Sequence, residues 1–326
     1  MTLKLGLTLP QRAALFGATS VGELLDLAAE ADADERFTSL WVGDSLLAKP
    51  RPDSISLLGA LAAATERVTL GVGCMASFPV RDPLTLAYQW ATLDWLSGGR
   101  MLLAVCTGIV RRGLSAHEGA QWGVRDKDRA GRMADRIELL RELWSGDRIS
   151  RQGPGYSYED VAIEPLPVQQ PCPVWIASNP PVTAAERPLR RVAQAADGWM
   201  SAELRRGEFG ELWEMLRPFL VAEGRDPDSF PTIAYHNVHI DEDAGRGLAE
   251  SQRFLTEYYG PVFGDDAVAA WTAHGGPAEV AASLDRLHRE GAKEITVRFT
   301  SWDQRGQWER FTTEVIPLLD AGRARG

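Results

Sequence analysis

The chain has 326 residues, a net charge of -10, 44% hydrophobic and 25% charged side chains. That length fits one large α/β barrel or two ordinary domains. The acidic balance argues against nucleic acid and against an anionic membrane surface, since both need a basic face. No apolar stretch approaches the ~20 residues of a transmembrane helix. The start, MTLKLGLTLPQR, lacks the basic end, apolar core and cleavage site of a signal peptide. Three cysteines (Cys74, Cys106 and Cys172) with no CxxC pair suit a reducing cytoplasm and offer neither a disulfide framework nor a zinc site.

In chain order, LKLGLTLP (3–10) is a short apolar run ending in proline and predicts a strand. Thr19-Ser20 can cap a helix whose apolar positions include Val21, Leu24, Leu25, Leu27 and Ala28. SLWVGD (39–44) predicts a strand, SISLLGALAAATER from Ser54 a helix, and VTLGVGCMA (68–76) a strand. PLTLAYQWATLDWLSG (83–98) reads as a helix with Pro83 in its first turn and Gly98 after its end. MLLAVCTG (101–108) is the fourth strand. The stretch 129–146 is helical, and a Gly/Pro-rich segment over 151–173 leads into VWIASN (174–179). Helix 186–196 precedes GWMSA (198–202). Helix 206–224, strand TIAYHNVHI (232–240), helix 245–259, helix 277–291, strand EITVRF (294–299) and helix 308–319 complete the chain.

Eight short strands alternate with helices. They are apolar on both faces and rich in Val, Ile and Leu, as expected of a buried parallel sheet. Eight β/α units at this length predict a TIM barrel spanning 1–326 as one unit, with insertions near 146–173 and 256–276. Active sites of this fold lie at the C-terminal strand ends. Attention therefore falls on Asp44, on 73–77, on 106–108, on Ser178-Asn179 and on Ser201.

Motifs for other chemistry are missing. GVGCMA (71–76) lacks the third glycine of a dinucleotide fingerprint, and neither a phosphate loop nor a GxSxG elbow is present. The five histidines show no metal spacing. His236 and His239, three apart in one strand, point to opposite faces, so at most one reaches the lumen. Asp44 reads equally as a general base, a loop anchor or a helix cap. Arg111 and Arg112 follow the fourth strand and read as a phosphate site or a surface face.

The stretch TERVTLGVGCMASFPVRDPLTLAYQWATLDWLSGGRMLLAVCTG (65–108) resembles the signature of the bacterial luciferase-like flavin-dependent monooxygenases. SLWVGD, EPLPVQQPCPVWIAS (164–178), AADGWM (195–200) and GGPAEVAASLDRLHREGAKEITVRF (275–299) are similar to further segments of that family, in order. The resemblance implies a TIM barrel with insertions, often a homodimer, acting on a small organic substrate. It implies reduced FMN from a partner flavin reductase, with oxygen, or the deazaflavin F420. It places a non-proline cis peptide at Gly73-Cys74. It places flavin contacts at Cys106, Thr107, Gly108, Ala177, Ser178 and Asn179.

Two positions depart from the family. Many members carry a histidine after the second-strand acid, where this chain has Ser45. F420-dependent dehydrogenases of the family carry a glutamate where this chain has Ile109. The expectation is a reduced-FMN monooxygenase with Asp44, Ser45 and His236 as candidate catalytic residues and no metal. The alternatives are an F420-dependent reductase or dehydrogenase working by hydride transfer, and a non-catalytic flavin-binding barrel.

Overall fold

A computed structural model describes residues 3–109 and 113–323. Its strands are β1 (Lys4–Leu9), β2 (Phe37–Asp44), β3 (Thr69–Met75), β4 (Met101–Val105), β5 (Ile149–Gly153), β6 (Tyr156–Val161), β7 (Val174–Ala177), β8 (Trp199–Ala202), β9 (Thr232–Ile240), β10 (Thr272–Gly275) and β11 (Glu294–Phe299). Eight of these run parallel in the order β9-β11-β1-β2-β3-β4-β7-β8, and β9 also pairs with β8. The sheet is thereby closed, and the fold is a TIM barrel with its helices outside.

Strand alternation separates two apolar populations. Outward side chains such as Leu7, Leu40, Val72, Leu103 and Val297 join the helices in the main core. Inward side chains Trp41, Leu102, Ala104, Trp175, Met200 and Ile233 form a second cluster in the lumen. The Trp41 and Trp175 rings lie 6.3 Å apart and plug the barrel floor. Gly71 makes room for this plug, because a Cβ there would lie 2.3 Å from the Trp41 ring.

Local chemistry sets the helix ends. Ser20 and Glu23 form a reciprocal capping box at helix Val21–Ala33, and Asp82 caps helix Pro83–Leu96 through the Thr85 N–H. The last helix begins earlier than its apolar pattern indicates. Asp303 caps Gln304–Arg310 through the Gly306 N–H, and a π-turn over Phe311–Val315 continues the helix into Ile316–Arg323.

The segment 146–173 contains a two-stranded antiparallel hairpin, β5-β6. Most of its residues are exposed or half-buried, and only Ile149, Tyr156, Tyr158 and Val161 pack on the main core. Near 256–276, helix Asp265–Ala270 is followed by β10, which pairs with the outer half of β9 from Asn237 to Ile240. This addition extends the barrel wall above the lumen. Among the described residues, no helix is long and apolar enough to cross a membrane.

Candidate functional site

The lumen floor is built of large side chains, but the inward positions at the strand ends are small. Gly43, Gly73, Cys106, Ala177 and Ala202 line a cleft of about 1240 Å³ at the C-terminal mouth, together with Asp44, Cys74, Thr107, Gly108, Ser178 and Asn179. The structure thus gathers nine of the eleven sequence-derived candidates, Ala177 among them, into one cavity. Gly108 has φ 76°, a left-handed conformation that favours glycine, and a Cβ there would sit 3.2 Å from the Arg129 guanidinium. The Gly73–Cys74 peptide is cis, and Cys74 lies outside the β3–β4 pairing, between the partnered Gly73 and Met75.

Asp44 is a loop anchor. One carboxylate oxygen accepts from Ser54 Oγ at 2.7 Å and from Arg81 at 2.9 Å. The other accepts from the Ser77 N–H at 2.9 Å and from Ser77 Oγ at 2.5 Å. A carboxylate offers about four acceptor positions, and these donors fill them. The arrangement ties the ends of β2 and β3 together and leaves no free lone pair for a general base.

Ser45 faces away from the cleft lining. Its hydroxyl meets Glu118 at 3.3 Å and accepts from the Lys49 N–H at 2.9 Å. The organising group here is Glu118, on helix Leu114–Gln121. One of its oxygens accepts from three successive backbone N–H groups, Leu46, Leu47 and Ala48, at 2.8–3.1 Å. Its other oxygen lies 3.7 Å from Arg129, and both side chains are fully enclosed. Arg129 donates to the carbonyls of Thr107 and Ala76, so a single buried pair joins the loops after β2, β3 and β4. Nothing in the sequence spacing pointed to Glu118 or Arg129, because the loop groups they hold, at Ser45, Ala76 and Thr107, lie 22 to 73 residues away.

The same loop delivers Lys49 into the cleft. Its ammonium sits 4.8 Å from the centre of the Tyr259 ring. Burial lowers its pKa to about 8; Tyr259 counteracts this and Arg51 adds to it. Opposite lie the two thiols. The hydrogen bond between them holds Cys106 low, against burial and aided by the Gly108 N–H and Lys49. The same bond, with burial, pushes Cys74 up.

His236 does not join this group. Its inward neighbour Tyr235 lines the cleft, so His236 points outward into the helical layer by strand alternation. Both its ring nitrogens are buried without a hydrogen-bond partner. Burial, with Arg286 and His274 nearby, lowers its pKa to about 3. The catalytic expectation for His236 is thus corrected: it is a neutral core histidine. His239 bonds the Thr300 carbonyl at 3.0 Å and does not line the cleft either. The unfolded chain protonates His236 near its ordinary pKa of 6.5, whereas the fold resists protonation down to about 3. Stability carried by this site is therefore present above pH 6.5 and lost as pH falls toward 3. We expect His236→Leu to flatten the acid limb of a urea-denaturation pH series between those values. An unchanged acid limb would contradict this assignment.

Two further features were missed in the sequence. On the outer side of the cleft stand Arg125, Lys127, Arg132, Arg187 and Arg191, beside Ser178 and Asn179. On the opposite wall stand Tyr235, Tyr259, Phe263 and Trp271, backed by the buried Arg298. Arg111 and Arg112 lie outside the described residues. No group of three or more His, Cys, Asp or Glu side chains suited to a metal occurs among the described residues.

Known proteins share this architecture. A protein from Amycolatopsis mediterranei described as F420-dependent glucose-6-phosphate dehydrogenase is 31% identical, the match covering 94% of this chain and 96% of that protein. One of the same description from Kineococcus radiotolerans is 24% identical over 91% of this chain and 93% of its own length. Among solved structures, an F420-dependent secondary alcohol dehydrogenase bound to an F420-acetone adduct superposes with a TM-score of 0.80 at 15% identity, covering 98% of this chain and 99% of that one. The monooxygenase RslO1 from Streptomyces bottropensis superposes at 0.75 with 21% identity, covering 97% and 99%. At those identities the structures establish the fold. The sequence profile described as luciferase-like monooxygenase matches residues 3–261. With that match over most of the barrel, and with relatives aligned along nearly its whole length, the chain belongs to the luciferase-like monooxygenase family and is an enzyme, an oxidoreductase of the flavin type.

Proposed function

We propose that this enzyme is an F420-dependent oxidoreductase that moves a hydride between the deazaflavin and a small organic molecule. The observation that carries the reading is the basic rim. Of Arg125, Lys127, Arg132, Arg187 and Arg191, only Arg125 makes an ion pair among the described residues, with Asp128. FMN ends in one phosphate, whereas F420 continues from its phosphodiester into an acidic tail. A row of five cations, four of them without an ion pair among the described residues, suits the longer polyanion. The shared description of the relatives supports F420 ahead of the reduced-FMN expectation.

The residues fit such a group. Small side chains at the strand ends leave room for a flat ring above Trp41 and Met200, which approach Gly73. Ser178 and Asn179 offer polar atoms between that room and the rim. F420 supplies or accepts the hydride when bound. The protein's part is to hold the ring, keep water from it and carry the accompanying proton. Lys49 carries a proton at Nζ inside the cleft, with a pKa of about 8 that suits exchange near neutrality.

The relatives' named substrate does not come with the cofactor. Ser45 stands where many members have histidine, and its hydroxyl is engaged by Glu118 and the Lys49 N–H. Ile109 stands in place of the glutamate. An acid–base pair for sugar oxidation is missing at those two positions.

An anaerobic assay with reduced F420 and a panel of carbonyl, enone and imine acceptors tests the reading. We expect F420 reoxidation that depends on both protein and acceptor and continues without oxygen. Substrate-dependent oxygen uptake with reduced FMN, and none with F420, would overturn it in favour of the monooxygenase.

A further inference from the structure

Three cations meet at the corner of the cleft between β2, β9 and β11, and none has a carboxylate partner among the described residues. Arg298 is fully buried. Its guanidinium donates to Asn237 Oδ1 at 2.7 and 3.0 Å and to the Tyr259 hydroxyl at 2.7 Å. It lies 4.6 to 5.3 Å from the ring centres of Tyr235, Tyr258, Tyr259 and Trp271. Arg51 covers Gly43, lies 5.4 Å from the Tyr258 ring and donates to the Lys49 carbonyl at 3.2 Å. Lys49 is 8% exposed, and among the described residues its Nζ has neither a hydrogen bond nor an ion pair, only the Tyr259 ring at 4.8 Å.

Burying charge without a counter-charge is costly, and cation–π contacts offset only part of that cost. The excess positive charge also reaches Tyr259. Burial pushes its phenol up, but Arg298, Lys49 and Arg51 outweigh burial and the net direction is down. Lys49 and Arg51 line the cleft directly, and so do Tyr235, Tyr259, Phe263 and Trp271. Tyr259 and Trp271 stack with centres 5.9 Å apart, and the other contacts among the four rings are edge to face at 5.2 to 5.4 Å. Together they present an apolar wall, with the stacked Tyr259 and Trp271 rings at its centre, beside two cations that lack a carboxylate partner among the described residues.

We propose that this corner is an anion pocket for the substrate. It takes a molecule with a flat apolar body packed on Tyr259 and Trp271 and one carboxylate or phosphate held by Lys49 and Arg51. Arg298 acts behind them as a positioning residue that fixes the Tyr259 hydroxyl. The assignment of this anion to substrate, rather than to the cofactor tail, rests on the F420 reading, in which the tail lies along the opposite rim.

Calorimetric titration of the ligand-free protein with 2-naphthoate, 2-naphthyl phosphate and the neutral 2-naphthamide tests the pocket. We expect at least one anion to bind about tenfold or more tightly than the amide, and both Lys49→Met and Lys49→Gln to remove most of that preference. The tighter of the two anions tells carboxylate from phosphate. Equal binding of anions and amide, no binding by any of the three, or a preference that survives both Lys49 variants would overturn the proposal. Displacement of the anion by F420 would overturn its assignment to substrate. An intact anion preference in a protein that does not bind F420 would sink the F420 reading and leave the pocket standing.

Discussion

Asp44→Ala is expected to cost about 3–5 kcal/mol of folding stability. The carboxylate is 5% exposed and receives Arg81, Ser54 and both polar groups of Ser77. Removing it leaves Arg81, largely buried, with only the partly exposed Asp53 at 3.2 Å as an ionic partner. Ser54 and Ser77 lose their acceptor in a region with little water. Asp44→Asn keeps the shape and one acceptor oxygen but sets an amide against donors, so it should lose a smaller share. Urea denaturation of the two variants checks the ranking. If Asp44 were a general base instead of an anchor, both variants would fold as well as the parent and differ only in turnover.

Glu118→Ala is expected to have an effect of similar size, about 3–5 kcal/mol, for a different reason. It orphans the buried Arg129 and removes the acceptor of three consecutive N–H groups in the loop that carries Lys49. Glu118→Gln separates the two contributions. An amide oxygen can still receive the three N–H groups, while its NH₂ faces Arg129 and the charge pairing is lost. The alanine variant should therefore expose loop 45–49 to hydrogen exchange at the Leu46, Leu47 and Ala48 amides. The glutamine variant should keep much of their protection despite its lower stability. Full protection of those amides in Glu118→Ala would show that the loop holds itself.

The barrel was legible because its signal is local. Each barrel strand is a short two-faced apolar run, several helices carry their own side-chain cap, and the chain order fixes the pairing. β9 and β11 were read to the residue, since a polar or glycine-rich turn bounds each. The β5-β6 hairpin was not, because only Ile149, Tyr156, Tyr158 and Val161 pack on the core, too few and too scattered among Gly, Pro and charged residues to stand out as a strand pair. At the site, strand-end logic and the family resemblance led to Gly73, Cys74, Cys106, Thr107, Gly108, Ala177, Ser178 and Asn179, and all eight line one cleft. Asp44 lines it too but is bound up in structure, a distinction that depends on Ser54, Ser77 and Arg81 arriving from elsewhere. His236 went wrong by strand parity. Either parity was open in the sequence, and only the neighbour Tyr235 in the lumen fixes it. Lys49, Arg51, Tyr259 and Arg298 carry no motif. Their meaning comes from three distant loops and strands meeting, which no spacing encodes.

The central claim, F420 as the partner of this cleft, is tested most directly by binding. Equilibrium titration of the protein with F420 and with FMN should give an F420 affinity at least about tenfold tighter, a difference of ~1.4 kcal/mol. The double variant Arg187→Glu/Arg191→Glu should erase that advantage, and raised salt should erode it in the parent. Tighter binding of FMN, or an F420 affinity indifferent to both the charge reversal and salt, would contradict the account.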